Sequence, residues 1–190
     1  TADWDFVTDS YPSRESYSVY GQTTYSFTDT FRLVSGLRYS EDTFTTDVTN
    51  FFNVESFQEE GTSDEITSRI TGEYDVAEAT MVYLTFSKGF KPGGSNLTFG
   101  FADDNAPPMV FPTFEAETVD STEFGVKTDL FDGQARANIA AFMYDYENLQ
   151  FQATDPDPYR GGVANIPESE MSGVEIEFTG LISDNLTFDM

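Results

Sequence analysis

The sequence contains no cysteine and no histidine. The first absence removes disulfides and thiol catalysis, and it suits an oxidising compartment where stray thiols are a hazard. The second removes the commonest metal ligand and the usual acid–base group near neutral pH. Cations are scarce as well: nine Lys and Arg stand against 34 Asp and Glu, a formal net charge of -25. Phosphate contacts need a basic surface, so nucleic acid is not expected as a partner. No apolar run approaches the roughly 20 residues of a membrane helix, and no signal peptide is visible. No nucleophile elbow, phosphate loop or zinc-ligand spacing occurs. The expectation is therefore a chain with no catalytic residues, no metal and no cofactor, and not an enzyme. Helical periodicity is almost absent too.

What the chain has in quantity is aromatic side chains, 16% of 190 residues, with 19 Phe and 10 Tyr. Acidic disordered chains are poor in aromatics, and this length is enough for a folded domain. The acidity reads as a solvated surface, or as attraction for cations and basic ligands. The first residues are Thr1-Ala2-Asp3-Trp4, with no initiator Met, and the last fall in a strand-like run, Leu186–Met190. A piece of a longer protein is expected.

Period-two alternation is nearly everywhere. Tyr17, Val19, Gly21, Thr23, Tyr25 and Phe27 share one face, with Ser16, Ser18, Tyr20 and Gln22 opposite. Phe31, Leu33, Ser35, Leu37 and Tyr39 oppose Arg32, Arg38 and Ser40. Ile66, Ile70, Tyr74 and Val76 oppose Arg69, Glu73 and Asp75, and Val82, Leu84 and Phe86 oppose Tyr83, Thr85 and Ser87. Further on, Phe124, Val126 and Leu130 oppose Glu123, Lys127 and Asp129. Ala137, Ile139, Ala141 and Met143 oppose Arg136 and Asn138, and Val174, Ile176 and Phe178 oppose Glu175 and Glu177. Nearly every charge lies on the non-apolar parity, and Asp145 is the clearest exception. Tight turns are expected near Asp29, Ala77, Asp132-Gly133 and Asp184. Between them lie three longer connections. Glu41–Glu65, where every charge is acidic, reads as an exposed loop or extended hairpin. Gly89–Ala116 and Gln150–Glu168 read as long loops rich in Gly, Pro, Asn and Asp.

Alternation alone also suits a soluble β-sandwich. The regular exchange of short and long connections is more telling. Outer-membrane barrels have short periplasmic turns and long extracellular loops, and tilted strands of about ten residues cross the hydrocarbon. Apolar faces would then meet lipid, and charged faces would line a wet interior. Phe27, Phe31, Tyr74 and Phe131 fall near the tight turns, where an interfacial girdle belongs.

One stretch carries more than a pattern. Ser87–Gly94, SKGFKPGG, ends an alternating run in glycines and a proline. Glu117–Phe151 follows, with Glu117, Glu123, Gly125 and Lys127, then Asn138, Phe142, Asp145 and Tyr146. Glu168–Phe178 adds Gly173, Val174, Glu175 and Glu177. In this order these motifs resemble the barrel of TonB-dependent outer-membrane receptors, with a detailed match over about Thr80 to Phe178; Thr1 to Ala79 agrees in pattern only. The resemblance implies an all-β fold, an antiparallel up-and-down transmembrane barrel of about 22 strands. This chain supplies about eight of them. Residues 1–190 would form part of the barrel domain, with the plug and the C-terminal strands outside the sequence. The resemblance also implies residence in the outer membrane of a Gram-negative bacterium, in contact with its lipid. It implies uptake of a ferric siderophore, haem, cobalamin or a glycan, energised through TonB by way of the missing plug.

Candidate ligand contacts lie at the loops and rim. Lys88 and Lys91 are cations at a loop mouth, Asn96 follows them, and Tyr159 and Arg160 stand at a loop tip. Each also has an ordinary role as a solvated or locally packed residue. Asp103-Asp104-Asn105 and Asp155-Pro156-Asp157 offer oxygen ligands without the spacing of a calcium loop. The alternative from another class is a soluble acidic β-sandwich or adhesin module that binds Ca²⁺ or glycan.

Overall fold

The alternation becomes one antiparallel meander. A computed structural model describes residues 8–50, 55–96, 113–154, 162–183 and 185–190. Its strands are β1 (Thr8–Ser26), β2 (Phe31–Asn50), β3 (Glu55–Ala77), β4 (Thr80–Lys91), β5 (Gly94–Ser95), β6 (Thr113–Phe114), β7 (Glu117–Leu130), β8 (Ala135–Ala153), β9 (Gly162–Ser183) and β10 (Leu186–Asp189). Eight form a single sheet in the order β1-β2-β3-β4-β7-β8-β9-β10, and β5 pairs with β6 separately.

Register fixes which residues share a face. Tyr74, Val82, Val126, Ile139 and Ile176 are successive partners across β3, β4, β7, β8 and β9. Leu37, Ile66, Phe86, Phe124, Val174 and Ile176 are all more than half exposed. Among the described residues the buried hydrophobic set is only Phe44, Ala135 and Ala153. The opposite face carries Arg32, Glu73, Asp75, Lys127, Asp129 and Arg136, and among the described residues no second layer covers the apolar face. Each large apolar side chain left in water forgoes about 1.5–3 kcal/mol. Over seven strands that exceeds the 5–15 kcal/mol that holds an ordinary domain together. The apolar face needs lipid, and the soluble sandwich is not the fold.

The tight turns lie at one end. Thr28 Oγ1 accepts from the backbone N–H groups of Thr30 (3.2 Å) and Phe31 (3.0 Å). Phe27 stacks on Phe31 with centroids 5.4 Å apart. After β7, Phe131 and Asp132 both adopt positive φ (53° and 54°), and the Gly133 N–H donates to the Leu130 carbonyl at 3.2 Å. Those are the φ signs of a type I′ hairpin, whose twist matches the flanking strands. Phe131 accepts this backbone while leaving its ring exposed at the turn end.

From that end, the outward face stays uncharged for about ten residues, the length of one hydrocarbon crossing. Then Glu41 appears on β2, Asp120 on β7, Asp145 on β8 and Glu170 on β9. Asp120, Asp145 and Glu170 are direct cross-strand partners. Asp145 is therefore no isolated exception to the parity rule. It belongs to a row of carboxylates at the level where lipid tails give way to water.

Beyond that level the strands continue, and the expected loops shrink. Glu41–Glu65 is the extended hairpin, paired without a break from Glu41↔Asp64 to Asn50↔Glu55. Gln150–Glu168 was expected as a loop, yet β8 runs to Ala153 and β9 starts at Gly162. Polar sequences such as these lack the apolar alternation of a strand, and pairing is imposed by the register continued from the membrane part. Opposite Pro167, which has no N–H to give, the pairing skips from Glu147↔Glu168 to Leu149↔Ile166, and Asn148 turns to φ 53°. Between β4 and β7 the expected loop Gly89–Ala116 is also shortened, and it contains β5 and β6.

On the polar face three aromatic rings lie over glycines directly across the ladder: Tyr83 over Gly125, Phe142 over Gly173 and Phe44 over Gly61. A methyl group at Gly173 would stand 2.8 Å from Phe142 Cζ. Gly173→Ala should cost about 1–3 kcal/mol, read as a lower urea midpoint for the barrel in vesicles. The cost should shrink in a Phe142→Ala background; an equal cost in both backgrounds would break the ring–glycine account. On the other face, Ile139→Arg should cost about 2–4 kcal/mol in the same measurement, while Asn138→Arg, one residue away, should cost clearly less.

Candidate functional site

The polar face is built from ion pairs and hydroxyls at its turn end. Arg32 binds Asp75 at 2.6 Å and Glu73 at 3.0 Å, reaching across to the neighbouring strand. Arg136 binds Asp129 at 2.7 Å. Lys127 lies 5.3 Å from the centre of the Tyr83 ring, and the Tyr83 hydroxyl donates to Glu123 at 2.7 Å. Asn138 donates to Glu177 at 3.1 Å, and Thr71 and Thr85 share a buried hydroxyl bond of 2.9 Å. Charges at these spacings neutralise one another and keep water on the wall. They form no nucleophile–base pair among the described residues.

Higher up, the segments 92–96 and 113–116 cross this face as a strap. Arg14 on β1 donates to the Gly93 carbonyl at 2.8 Å, and the Gly93 N–H donates to Ser63 Oγ on β3 at 3.2 Å. Thr46 on β2 and Ser95 share a hydroxyl bond of 2.6 Å. At the far side, Asn96 and the Val163 backbone bond in both directions, at 2.8 and 2.7 Å. Gln150 Nε2 donates to the carbonyls of Pro92 and Glu115, each at 3.0 Å. Asn165 accepts from the Glu115 N–H at 2.8 Å and donates to the Asn148 carbonyl at 2.7 Å.

This strap reports the shape of the sheet. β2 and β9 lie five strand steps apart, about 24 Å along a flat sheet. Ser95 and Asn96 are consecutive residues, about 3.8 Å apart. With short side chains alone they reach Thr46 on the one strand and the Val163 backbone on the other. The polar face is concave, as the inner wall of a barrel is.

A seam opens beside the strap. β3 and β4 pair only from Ala77↔Thr80 to Arg69↔Ser87, and both strands run on without each other. Lys88 spans the seam to Glu65 at 3.0 Å. Behind it lies a cavity of about 510 Å³ bordered by Phe44, Ser63, Phe90, Phe114 and Asn148.

The ligand contacts expected from sequence separate accordingly. Lys88 is in the ion pair across the seam. Lys91 closes β4 opposite Glu117, with its carbonyl near Gln150 Nε2 at 3.4 Å. Asn96 is a strap anchor. Tyr159 and Arg160 lie outside the described residues, as do Asp103-Asp104-Asn105 and Asp155-Pro156-Asp157. The site residues that the sequence left unmarked are Arg14, Gln150 and Asn165, which hold the strap. Gln150 and Asn165 sat inside an apparent loop, where parity gave no signal. Arg14 preceded the first run recognised as a strand.

The family model "TonB dependent receptor-like, beta-barrel" matches residues 2–189. The pesticin receptor of Yersinia enterocolitica is 25% identical over 174 residues, which covers 88% of this chain and 24% of that protein. The chain thus spans about a quarter of the curated relatives it matches. Among solved structures, the ferric yersiniabactin uptake receptor FyuA of Yersinia pestis superposes with a TM-score of 0.74 at 21% identity, over 96% of this chain and 26% of that one. The siderophore receptor PiuA of Acinetobacter baumannii gives 0.71 at 23% identity, over 93% and 24%. With its concave polar wall, its lipid-facing apolar side and a family match along nearly its whole length, this chain belongs to the TonB-dependent receptor-like β-barrels of the Gram-negative outer membrane.

Proposed function

We propose that the sheet is one sector of an active uptake receptor, completed by further strands and by a plug outside this sequence. The carrying observation is the concave polar wall crossed by a strap on the side away from the tight turns. Such a wall can pass and hold a polar ligand while the apolar side keeps its place in lipid. Among the described residues the open eight-stranded sheet leaves the outer edges of β1 and β10 without partners, and hydrocarbon supplies none. That supports further strands on both sides. Two of the similar solved structures are a ferric yersiniabactin uptake receptor and a siderophore receptor. We infer a ferric siderophore or a comparable scarce nutrient as the ligand class, TonB as the energy source and transport rather than catalysis as the activity. Within this reading Lys91 faces the ligand from the end of β4 and Asn96 from the strap. Lys88 guards the seam, and Tyr159 and Arg160 act as loop contacts on the outer side.

Uptake of radiolabelled ferric siderophores into a strain deleted for the whole receptor gene tests this. Restoring the gene should restore uptake of at least one chelate, and removing TonB should abolish it. Uptake that is equal with and without the gene across ferric chelates, haem, cobalamin and glycans would sink the proposal. Loosening the strap should act on affinity. Gln150→Ala together with Asn165→Ala removes donors to the backbone carbonyls of Lys91, Pro92, Glu115 and Asn148, at about 1 kcal/mol each. With about 1 kcal/mol of that loss felt in the bound state, the half-saturating ligand concentration should rise by about fivefold, with the maximal rate nearly unchanged. A fall in maximal rate alone would mean that the strap does not shape the binding surface.

A further inference from the structure

We propose that the upper edge of β3 is a docking edge for an extended, lysine- or arginine-rich peptide strand on the outer side of the membrane. β3 keeps β2 as its partner from Tyr74 to Glu55, but its pairing with β4 ends at Arg69↔Ser87. Among the described residues no other strand takes the place of β4 above that point. The direction of the free groups follows from the ladder. The Asp75 N–H donates to the Thr30 carbonyl, just before β2, and the register from there to Asn50↔Glu55 is unbroken. Odd-numbered residues of β3 therefore turn their backbone groups toward β2, and even-numbered ones turn theirs to the side that β4 has left. Gln58, Glu60, Thr62, Asp64 and Ile66 form that free row. The Ile66 N–H bonds to the side chain of Glu65 at 3.0 Å, where a neighbouring strand would otherwise take it.

Space and height suit a docked strand. The row opens on the cavity of about 510 Å³, whose far side is bordered by Phe90, Phe114 and Glu147. Asp64 is the partner of Glu41 in the outward row of carboxylates, so the edge from Asp64 upward stands in water. There an unpaired edge is tolerated, and another chain can pair with it. Charge selects the occupant. Between Glu55 and Ser68 there are five acidic residues and no Lys or Arg. Glu60 and Asp64 are exposed, and neither belongs to an ion pair among the described residues. Lys88 already shows what this edge attracts, since its ammonium closes the membrane end of the gap on Glu65 at 3.0 Å. Acidic side chains repel an acidic strand, a second copy of this edge included. Residues 97–112 hold Asp103, Asp104, three prolines and no cation, and are a poor match for the same reason. A basic strand gains backbone bonds and charge attraction together.

This inference rests on the receptor reading only for placing the edge outside the cell. The test uses the full receptor chain that carries this segment, in detergent micelles. The probe is an eight-residue peptide in which Lys alternates with Thr or Val. Calorimetry should show saturable binding. The same peptide methylated at every backbone nitrogen keeps its charge and loses its donors, and it should bind at least about tenfold more weakly. So should a peptide with Glu in place of Lys. Thr62→Pro removes a free N–H and crowds the edge while sparing the ladder to β2, and it should weaken binding by about tenfold. Glu60→Gln/Asp64→Asn leaves the backbone as it is, and serves where the proline variant fails to fold. It should weaken binding about fivefold at about 50 mM salt and clearly less at about 500 mM. No saturable binding of the lysine peptide overturns the docking edge. Equal binding of the methylated peptide, or by a folded Thr62→Pro receptor, overturns it as well. Slow amide exchange at Glu60, Thr62 and Asp64 in the free receptor would assign the edge to the receptor's own chain, and a dimer dissolved by Thr62→Pro would assign it to a second copy; either result overturns it too. Normal TonB-dependent uptake without peptide binding would sink the docking edge alone. Absent uptake alongside intact peptide binding would sink the receptor reading alone.

Discussion

Everything in this fold depends on the backbone having no solvent to bond with across the hydrocarbon layer. A strand in lipid must give each N–H and C=O to a neighbouring strand, because an unpaired group costs several kcal/mol there. Long, nearly unbroken ladders follow, such as the one from Phe31↔Tyr74 to Asn50↔Glu55. Once the ladders are fixed, the alternation of side chains is forced. One set faces tails and must be apolar; the other faces water and is free to carry charge. The near absence of a hydrophobic core is a consequence of that order, since the lipid takes the part a core would play.

The water-facing side has its own logic. Three of its rings lie over glycines, and Phe142 also stacks on Tyr144 with centroids 4.7 Å apart; both contacts cover backbone that would otherwise meet water on the polar side. Its charges are paired near the turns, Arg32 with Glu73 and Asp75 and Arg136 with Asp129, and again beside the strap, Arg14 with Asp42 and Lys88 with Glu65. The strap draws its holding power from amide and hydroxyl groups, with Arg14 as its charged contributor. Such bonds are directional and individually modest, about 1 kcal/mol each. Several acting together can fix a segment that has little apolar surface to bury.

Much of this was legible in the sequence, for a specific reason. Period two is rigid, so Leu37, Phe86, Ile139 and Ile176 declared their face wherever lipid demanded an apolar residue. Above the lipid the demand lapses. Thr43, Thr45, Asp47 and Gln150 are paired in strands with no apolar alternation to announce it, and sequence reading made loops of them or left them open. Asp145 looked anomalous because parity carries no information about height; register with Asp120 and Glu170 supplied it. The site was less legible still. The partnership of Lys88 with Glu65 depends on where two strands part company, and Asn96 with Val163 depends on curvature. Both are properties of the whole sheet.

The row of outward carboxylates has a bearing on more than parity. It acts as a waterline, since those side chains cannot sink into the hydrocarbon without losing their charge or their water. On β4 the outward residue in that row is Lys88, opposite Asp120, and the strap leaves the wall at Pro92. Four residues along a strand tilted by about 45° raise the chain by roughly 9 Å. That places the strap level with the lipid head groups. A ligand resting against it would already be flanked by membrane, and the last part of its approach would be a passage through a confined aqueous shaft.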